Sequence, residues 1–147
     1  MKTLLISACL FGVPCRYDGK SKPKFTKYEL DALKEKYHLI PVCPEIYGGL
    51  PTPRVGSERV GERVMMKDGT DVTENYKRGA EATLALARIF ECKMALLKER
   101  SPSCGHGEIH DGSFSDTLTR GDGVTAELLL ENGIEVYGES EISKLVD

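Results

Sequence analysis

A ten-residue stretch that follows a short apolar run concentrates side chains able to do chemistry. It reads Lys98-Glu99-Arg100-Ser101-Pro102-Ser103-Cys104-Gly105-His106-Gly107. A thiol, two hydroxyls and an imidazole lie there beside glycines, whose backbone a ligand can approach closely. Two further cysteines, Cys9 and Cys43, stand at corresponding places earlier in the chain. These three cysteines are therefore candidates for one shared site.

Regular elements predicted from the sequence give these cysteines their positions. Short apolar runs predict four strands, at residues 2–8, 38–42, 93–97 and 134–137. Amphipathic spacing and helix-start signals predict the helices, at residues 27–36, 74–90, 124–131 and 141–146. Alternating strands and helices indicate βαβ units. We expect an α/β fold over residues 1–147, a single-domain three-layer Rossmann-like fold with a mainly parallel sheet in the order 2-1-3-4.

Two smaller features interrupt this alternation. The dipeptide Asp68-Gly69 lies between runs of alternating character and predicts a small β-hairpin excursion, with residues 63–66 as one arm. Residues 109–114 contain another Asp-Gly pair and predict a second turn or hairpin.

The predicted sheet brings the cysteines together at one edge. Cys9, Cys43 and Cys104 each follow one of the first three core strands, and ligands of open α/β sheets bind beyond the carboxyl ends of strands. Neighbouring strands lie about 4.8 Å apart, so three thiols can converge. Three thiolates can bind zinc with an open fourth position, or an iron–sulfur cluster with one iron lacking a protein ligand. The alternative is that each is a small buried residue.

The remaining cysteines allow several roles. Cys15 lies in a loop and can serve as a fourth ligand, as a resolving thiol or in neither role. Cys92 precedes the third core strand and is predicted to be structural. Five cysteines, an odd number, argue against a disulfide framework.

Polar side chains near these cysteines are candidates for acting on a substrate. Glu45, two residues after Cys43, can move protons as a general acid or base, or can instead cap a helix or pair with Arg16 or Arg54. Ser101 and Ser103 can donate hydrogen bonds to a developing anion, or can simply close the turn. The residues predicted to bind substrate are Arg16, Arg54, Lys98 and Ser103.

Composition and charge narrow the class of protein. The chain has 147 residues, with 20 basic and 23 acidic side chains and a formal net charge of −3. This balance gives no global support for nucleic-acid binding, although a local basic cluster exists at Arg16, Lys20, Lys22, Lys24 and Lys27. The apolar run at residues 4–6 is too short for a signal sequence, and no run approaches a membrane span. We expect a cytoplasmic protein.

Short motifs spread over nearly the whole chain form a specific combined pattern. They are Ser7–Gly12, Cys15–Gly19, Cys43–Glu45, Gly48–Leu50, Pro53-Arg54, Asp71–Thr73, Gly79-Ala80, Leu97-Lys98, Ser101–Gly105, Asp111-Gly112 with Phe114, and Gly121–Ala126. With these motifs the chain resembles the DUF523 family, whose characterised members include the thiouracil desulfidases.

The resemblance implies a cofactor and a reaction. It implies a [4Fe-4S] cluster held by Cys9, Cys43 and Cys104, with the fourth iron free. It also implies a non-redox desulfidase that replaces C=S by C=O in a thiolated pyrimidine such as 2-thiouracil. Glu45 would activate a water, and Ser101 would stabilise or protonate the intermediate. The partner would be a small thiolated base or nucleoside, with thiolated tRNA less favoured, and the oligomeric state is not predicted.

Two alternatives without catalytic activity stay open at this point. One is a zinc module that uses Cys15 together with Cys9, Cys43 and Cys104. The other is a metal-free nucleotide-binding module that uses the glycine-rich loops with nearby basic residues.

Overall fold

The computed structural model describes residues 1–20 and 25–147 of the chain. Its regular elements alternate between strands and helices, as the sequence predicts. In chain order they are β1 (Lys2–Ser7), α1 (Lys27–Lys36), β2 (Tyr37–Val42), α2 (Pro44–Tyr47), β3 (Ser57–Val60), β4 (Arg63–Met66), α3 (Thr73–Ile89), β5 (Met94–Leu97), β6 (Glu108–His110), β7 (Leu118–Arg120), α4 (Val124–Glu131), β8 (Glu135–Gly138) and α5 (Ser143–Val146). Among these described residues, no helix combines the length and the apolar character that crossing a membrane requires.

A four-stranded sheet in the order β2-β1-β5-β8 forms the centre of the fold, and all of its pairs are parallel. This arrangement confirms the predicted order 2-1-3-4. The central strand β1 pairs Leu5 with Ile40 on one side and with Ala95 on the other. Because its neighbours cover both edges and helices cover both faces, residues 4–6 have no exposed surface.

Successive residues of β1 enter two different cores. Leu5 packs with Leu84 and Leu129, on the face that α3 and α4 cover. Leu4 and Ile6 pack with Leu33, Ile142 and Leu145, on the face that α1 and α5 cover. This alternation follows from the two-residue period of a strand. The two cores give the predicted three layers, with the sheet in the middle.

The hairpin excursion differs from its prediction in one respect. The predicted arm at residues 63–66 is β4, but β4 pairs with β3, which precedes it, across a turn at Gly61-Glu62. Gly61 has a φ of 59°, which a two-residue hairpin turn requires and glycine adopts easily. Asp68-Gly69 forms the next turn, which leads to a single bridge between Met65 and Asp71. The second hairpin, β6 with β7, lies where residues 109–114 predicted a turn or hairpin.

Helices α2 and α3 pack with their backbones in very close contact. A Cβ atom on Gly79 of α3 would lie 1.9 Å from the Pro44 carbonyl oxygen, and one on Gly48 would lie 2.1 Å from the Asn75 carbonyl oxygen. The Asn75 side chain also donates a hydrogen bond of 2.9 Å to the Gly48 carbonyl. Because α2 follows Cys43 and carries Glu45, this contact determines where both side chains stand.

Replacing Gly79 with alanine is expected to destabilise the protein, although alanine favours helix more than glycine does. The methyl group would collide with backbone, which cannot rotate away, and overpacking of this kind costs about 1–3 kcal/mol. Glu81→Ala, at an exposed position of the same helix, is the matched control and should leave stability within about 0.5 kcal/mol. Chemical denaturation of both variants measures the difference. If Gly79→Ala were as stable as Glu81→Ala, the backbones of α2 and α3 would be able to move apart at little cost in free energy.

Candidate active site

An open cleft of about 1180 Å³ lies at the carboxyl edge of the parallel sheet. Cys9 stands in the 3-10 turn after β1, and Cys43 stands between β2 and α2. Cys104 lies in the loop after β5. All three cysteines line this cleft, together with Glu45 and Ser101. Residues far apart in the sequence therefore share one surface, because parallel strands end at the same edge.

The loop that carries Cys104 is fixed by the beginning of α4. The amide of Gly123 donates a hydrogen bond of 2.7 Å to the Gly105 carbonyl, and the amide of Thr125 donates one of 2.9 Å to the Ser103 carbonyl. The first N–H groups of a helix lack partners within the helix, and here the loop supplies acceptors for them. The loop is therefore attached to a regular element, and Cys104 gains a defined position.

Burial disfavours the charged form of two of the three thiols. It raises the pKa of Cys9 to about 11 and that of Cys104 to about 12, and the charge of Cys43 raises the pKa of Cys9 further. Cys9 in turn contributes to the raised pKa of Cys104, so its thiol stands near both others. A bound cation favours thiolates, and metal binding at such a site releases protons.

Cys15 and Cys43 lie in contact with each other in the wall of the cleft. The Cys43 sulfur lies 3.8 Å from the Cys15 carbonyl oxygen. A hydrogen bond with the Cys15 thiol lowers the pKa of Cys43 to about 7, and the same contact raises the pKa of Cys15. Cys43 is therefore the most readily ionised of the three predicted ligands. Cys92, by contrast, lies in the core on the α3 and α4 face.

The donor set fits an iron–sulfur cluster. Three buried or half-buried thiols line one cleft, and thiolate is the usual protein ligand of iron in such clusters. Within residues 1–20 and 25–147, no three His, Cys, Asp or Glu side chains gather as closely as ligands of a single metal ion do.

Glu45 is held from several sides at once. Its Oε1 accepts hydrogen bonds from Arg54, of 3.1 Å from Nε and 2.9 Å from Nη2. Its Oε2 accepts a hydrogen bond of 2.8 Å from the Ser103 hydroxyl. Burial and the Glu45 charge raise the pKa of Tyr76, whose phenol also hydrogen bonds to Glu45. These contacts therefore fix the orientation of the Glu45 carboxylate.

All five N–H groups of Arg54 donate hydrogen bonds to acceptors within the protein. Besides Glu45 they reach the Pro51 carbonyl, the Thr52 hydroxyl and the Cys15 carbonyl, at 3.0–3.1 Å. Only 3% of the Arg54 side chain is exposed. Of the two arginines that the sequence offered to Glu45, the structure pairs it with Arg54.

The two serines close the turn and also contact each other. The Ser101 hydroxyl accepts hydrogen bonds of 3.1 Å from the amides of Ser103 and Cys104. The two hydroxyl oxygens lie 2.9 Å apart. Ser103 is 2% exposed, whereas Ser101 is half-buried and lines the cleft.

The other predicted substrate-binding cations also line the cleft and have partners. Lys98 forms an ion pair of 2.9 Å with Glu139. Arg16 lies 3.6 Å from the carboxylate of Asp18, and its guanidinium stands 5.7 Å from the centre of the Tyr17 ring. Of the basic cluster, Lys22 and Lys24 lie outside the described residues.

The sequence patterns did not assign a cleft role to Tyr76 or Phe114, which line it as well. Tyr76 fits the helical period of a core face, so its contact with Glu45 had no sequence signal. Phe114 has a φ of 56°, a region that non-glycine residues rarely adopt. The Glu58 carboxylate holds it there by accepting hydrogen bonds from the amides of Gly112 and Phe114.

Comparisons with known proteins identify the family of this chain. The sequence model described as 2-thiouracil desulfurase matches residues 4–141. YbbK of Bacillus subtilis (strain 168), described as an uncharacterized protein, is 37% identical over 97% of this chain and 99% of its own length. The solved structure of the "[4Fe-4S]-dependent thiouracil desulfidase TudS" is 45% identical and superposes with a TM-score of 0.94, covering 99% of this chain and 95% of that one. These matches confirm the family resemblance seen in the sequence.

Proposed function

The chain belongs to the 2-thiouracil desulfurase family, and from this premise we propose that it hydrolyses the C=S bond of a thiolated pyrimidine to C=O. The observation that carries the proposal is the cleft that unites Cys9, Cys43 and Cys104 with a fixed carboxylate, Glu45. A similar structure bears the name of a thiouracil desulfidase that depends on [4Fe-4S].

The cofactor in this proposal is a [4Fe-4S] cluster held by the thiolates of Cys9, Cys43 and Cys104. When bound, it supplies a Lewis-acidic iron for the sulfur of the substrate. Holding the cluster with three cysteines leaves that iron without a protein ligand. Cys15, through its contact with the Cys43 sulfur, serves as a neighbour of the cluster in this assignment.

The residues of the chain supply the proton chemistry. Glu45 takes a proton from the attacking water as a general base, and Ser101 faces the substrate from the loop beside Cys104. Arg54 and Ser103 hold Glu45, because their hydrogen bonds occupy Oε1 and one side of Oε2. Arg16 and Lys98, on the wall of the cleft, are assigned to substrate polar groups.

The substrate is a small thiolated base or its nucleoside. The cleft, at about 1180 Å³, has room for more than a single pyrimidine ring. The formal net charge of −3 favours a small molecule over RNA. If thiolated tRNA were the substrate, affinity would fall steeply with salt concentration.

Anaerobic reconstitution with iron and sulfide tests the proposal. The loaded protein is expected to be brown, to contain about four irons per chain and to release sulfide and uracil from 2-thiouracil. The metal-free protein, assayed in parallel, should release neither product. A protein that binds zinc in preference to iron, or a loaded protein that leaves 2-thiouracil and its nucleoside unchanged, would contradict it. A colourless protein that binds nucleotides would favour the metal-free alternative.

A further inference from the structure

Phe114 is a large aromatic residue that lies at the cleft and outside the apolar interior. Of the side chains that the structure describes, those of the interior form three clusters, and Phe114 is in none of them. It is nevertheless half-buried, and it lines the cleft that the three predicted ligand cysteines share. Its ring therefore contributes to the surface of the cleft rather than to a core.

The backbone keeps Phe114 in this place at a cost in free energy. Its φ of 56° lies in the left-handed region, which glycine adopts far more easily than residues with a Cβ atom. Residues in such a conformation persist only where their surroundings hold them, and they concentrate at ligand sites. A phenylalanine at a position where glycine would be unstrained indicates that the ring itself has a function.

Strand β3 supplies the contacts that hold the loop around Phe114. Glu58 Oε1 accepts hydrogen bonds of 2.9 Å from the Gly112 amide and 3.1 Å from the Phe114 amide. Gly112 also lies against β3, where a Cβ atom would collide with the Val60 side chain and lie 3.2 Å from the Arg59 carbonyl oxygen. These contacts fix the direction in which the Phe114 side chain leaves the backbone.

The other end of the β6–β7 hairpin is attached to the loop that carries Cys104. The amide of Gly121, which follows β7, donates a hydrogen bond of 3.1 Å to the Gly107 carbonyl. Ile109 of β6 packs on Gly105, where a Cβ atom would lie 2.9 Å from the Ile109 Cγ2 atom. The hairpin therefore runs from the cysteine loop to β3 and is held at both ends, which gives its ring a firm support beside the cleft.

Among the residues that the structure describes, one phenylalanine and two tyrosines line the cleft. Tyr76 is 2% exposed, and its phenol hydrogen bonds to a carboxylate. The Tyr17 ring has the Arg16 guanidinium 5.7 Å from its centre, and a Cβ atom on Gly56 would lie 3.6 Å from the ring. The ring of Phe114 is the one of the three that is left for a ligand.

We infer that Phe114 is a specificity-determining residue whose ring stacks on the pyrimidine ring of the substrate, an inference that rests on the proposed function. A thiolated pyrimidine carries its hydrogen-bonding groups at its edge and has two flat faces. Polar residues of the cleft can contact the edge, but covering a face requires an aromatic or apolar surface. The product keeps the flat ring, so it is expected to bind against Phe114 as well.

Equilibrium binding of two pyrimidines that carry no sulfur tests the stacking without an activity assay. Uracil is flat, whereas dihydrouracil carries the same carbonyl and N–H groups on a puckered ring. The cluster-loaded protein is expected to bind uracil about 10-fold more tightly than dihydrouracil. Phe114→Ala should bind uracil about 10-fold more weakly than the unmodified protein does, and should no longer prefer it. An unmodified protein that does not bind uracil or shows no preference, or a Phe114→Ala protein that keeps the preference, would overturn the inference.

Steady-state kinetics of three further measurements at the same position distinguish a ring from an apolar wall. Phe114→Ala is expected to raise the KM for 2-thiouracil about 10-fold, with iron content and kcat close to those of the unmodified protein. Phe114→Tyr keeps the ring and should restore KM. Phe114→Leu keeps apolar bulk without a ring and should resemble Phe114→Ala. A normal KM in Phe114→Leu would mean that an apolar wall is sufficient, and the stacking would be wrong.

Thermal unfolding separates the role of the ring from a role in folding. Phe114→Gly removes the ring and also relieves the backbone strain, so its melting temperature should be at least that of Phe114→Ala. Its affinity for uracil should be as low as that of Phe114→Ala. A Phe114→Gly protein that binds uracil normally would contradict the inference.

Phe90 offers a matched control, because it is 45% exposed and lies at the end of α3, outside the cleft. Phe90→Ala is expected to leave both KM and the preference for uracil unchanged. If the loaded, unmodified protein releases no sulfide from any thiolated pyrimidine, the proposed function fails, and the binding of uracil and dihydrouracil then decides by itself whether Phe114 recognises a flat ring. If sulfide is released but the preference for uracil is absent, the inference alone fails.

Discussion

Cys104→Ala is expected to leave the protein folded but unable to hold its cluster. Reconstituted under anaerobic conditions, the variant should contain little iron, show no brown colour and release no sulfide from 2-thiouracil. Two thiolates remain, and a four-iron cluster with two irons unsupported by protein ligands is readily lost to solvent or chelators. The α4 amides still hold the loop through backbone carbonyls, so its conformation does not depend on the thiol.

Cys92→Ala is the matched control for this experiment. Cys92 is also a buried thiol, 3% exposed, but it lies in the core outside the cleft. The Cys92→Ala protein should keep full iron content and activity, and its free energy of unfolding should fall by roughly 1 kcal/mol. Iron and sulfide determination, visible absorption and thermal unfolding of both variants separate cluster loss from misfolding. A Cys104→Ala protein with a full complement of iron would remove Cys104 from the ligand set.

The arrangement of the sheet was predictable because it depends on local signals. The capping box of Thr26 and Glu29 forms as the sequence indicates, and α1 begins and ends at the predicted residues. The helix predicted at 124–131 is likewise α4, which ends before Gly133, whose φ of 79° suits a helix stop. Parallel pairing then follows from alternation, and it places three strand-end cysteines at one edge.

Sequence patterns offered Arg54 as one of two possible arginine partners of Glu45, but they did not choose between them and did not find the other contacts of Glu45. Arg54 is the nearest of these partners in sequence, nine residues away, but it lies across a loop whose path no periodicity describes. Ser103 and Tyr76 reach Glu45 from two other segments, and each has an ordinary role by local criteria, as a turn residue and a core residue. The hairpin was misplaced for a similar reason, since Asp68-Gly69 forms a tight turn but β3 supplies the pairing partner.

The packing of α2 explains how such a short helix can hold the proposed general base, Glu45, in a fixed place. Four residues of helix are not stable alone, because nucleation is costly. Backbone contact with α3 at Gly48 and Gly79 gives α2 its support, and Arg54 ties the loop after it back to Glu45 and Cys15. The predicted ligand Cys43 and the proposed general base Glu45 are therefore both held in place against α3.

Glu45→Gln is expected to lower kcat about 1000-fold while the protein keeps its cluster. The amide has nearly the shape of the carboxylate, but it cannot take a proton from water at neutral pH. Its carbonyl can still accept hydrogen bonds from Arg54. The buried guanidinium nevertheless loses a charged partner, so the melting temperature should fall as well.

Two comparison variants distinguish lost proton transfer from lost structure. Glu45→Asp keeps the charge but shortens the reach, and we expect stability closer to that of the unmodified protein with kcat still strongly reduced, because the carboxylate no longer spans the distance between Arg54 and Ser103. Glu108→Gln, at an exposed position outside the cleft, should change neither quantity. The measurements are sulfide release, iron content and thermal unfolding. A Glu45→Gln protein that holds its cluster and works at the normal rate would mean that the water is activated elsewhere, and Arg54 and Ser103 would then hold Glu45 only to keep α2 in place.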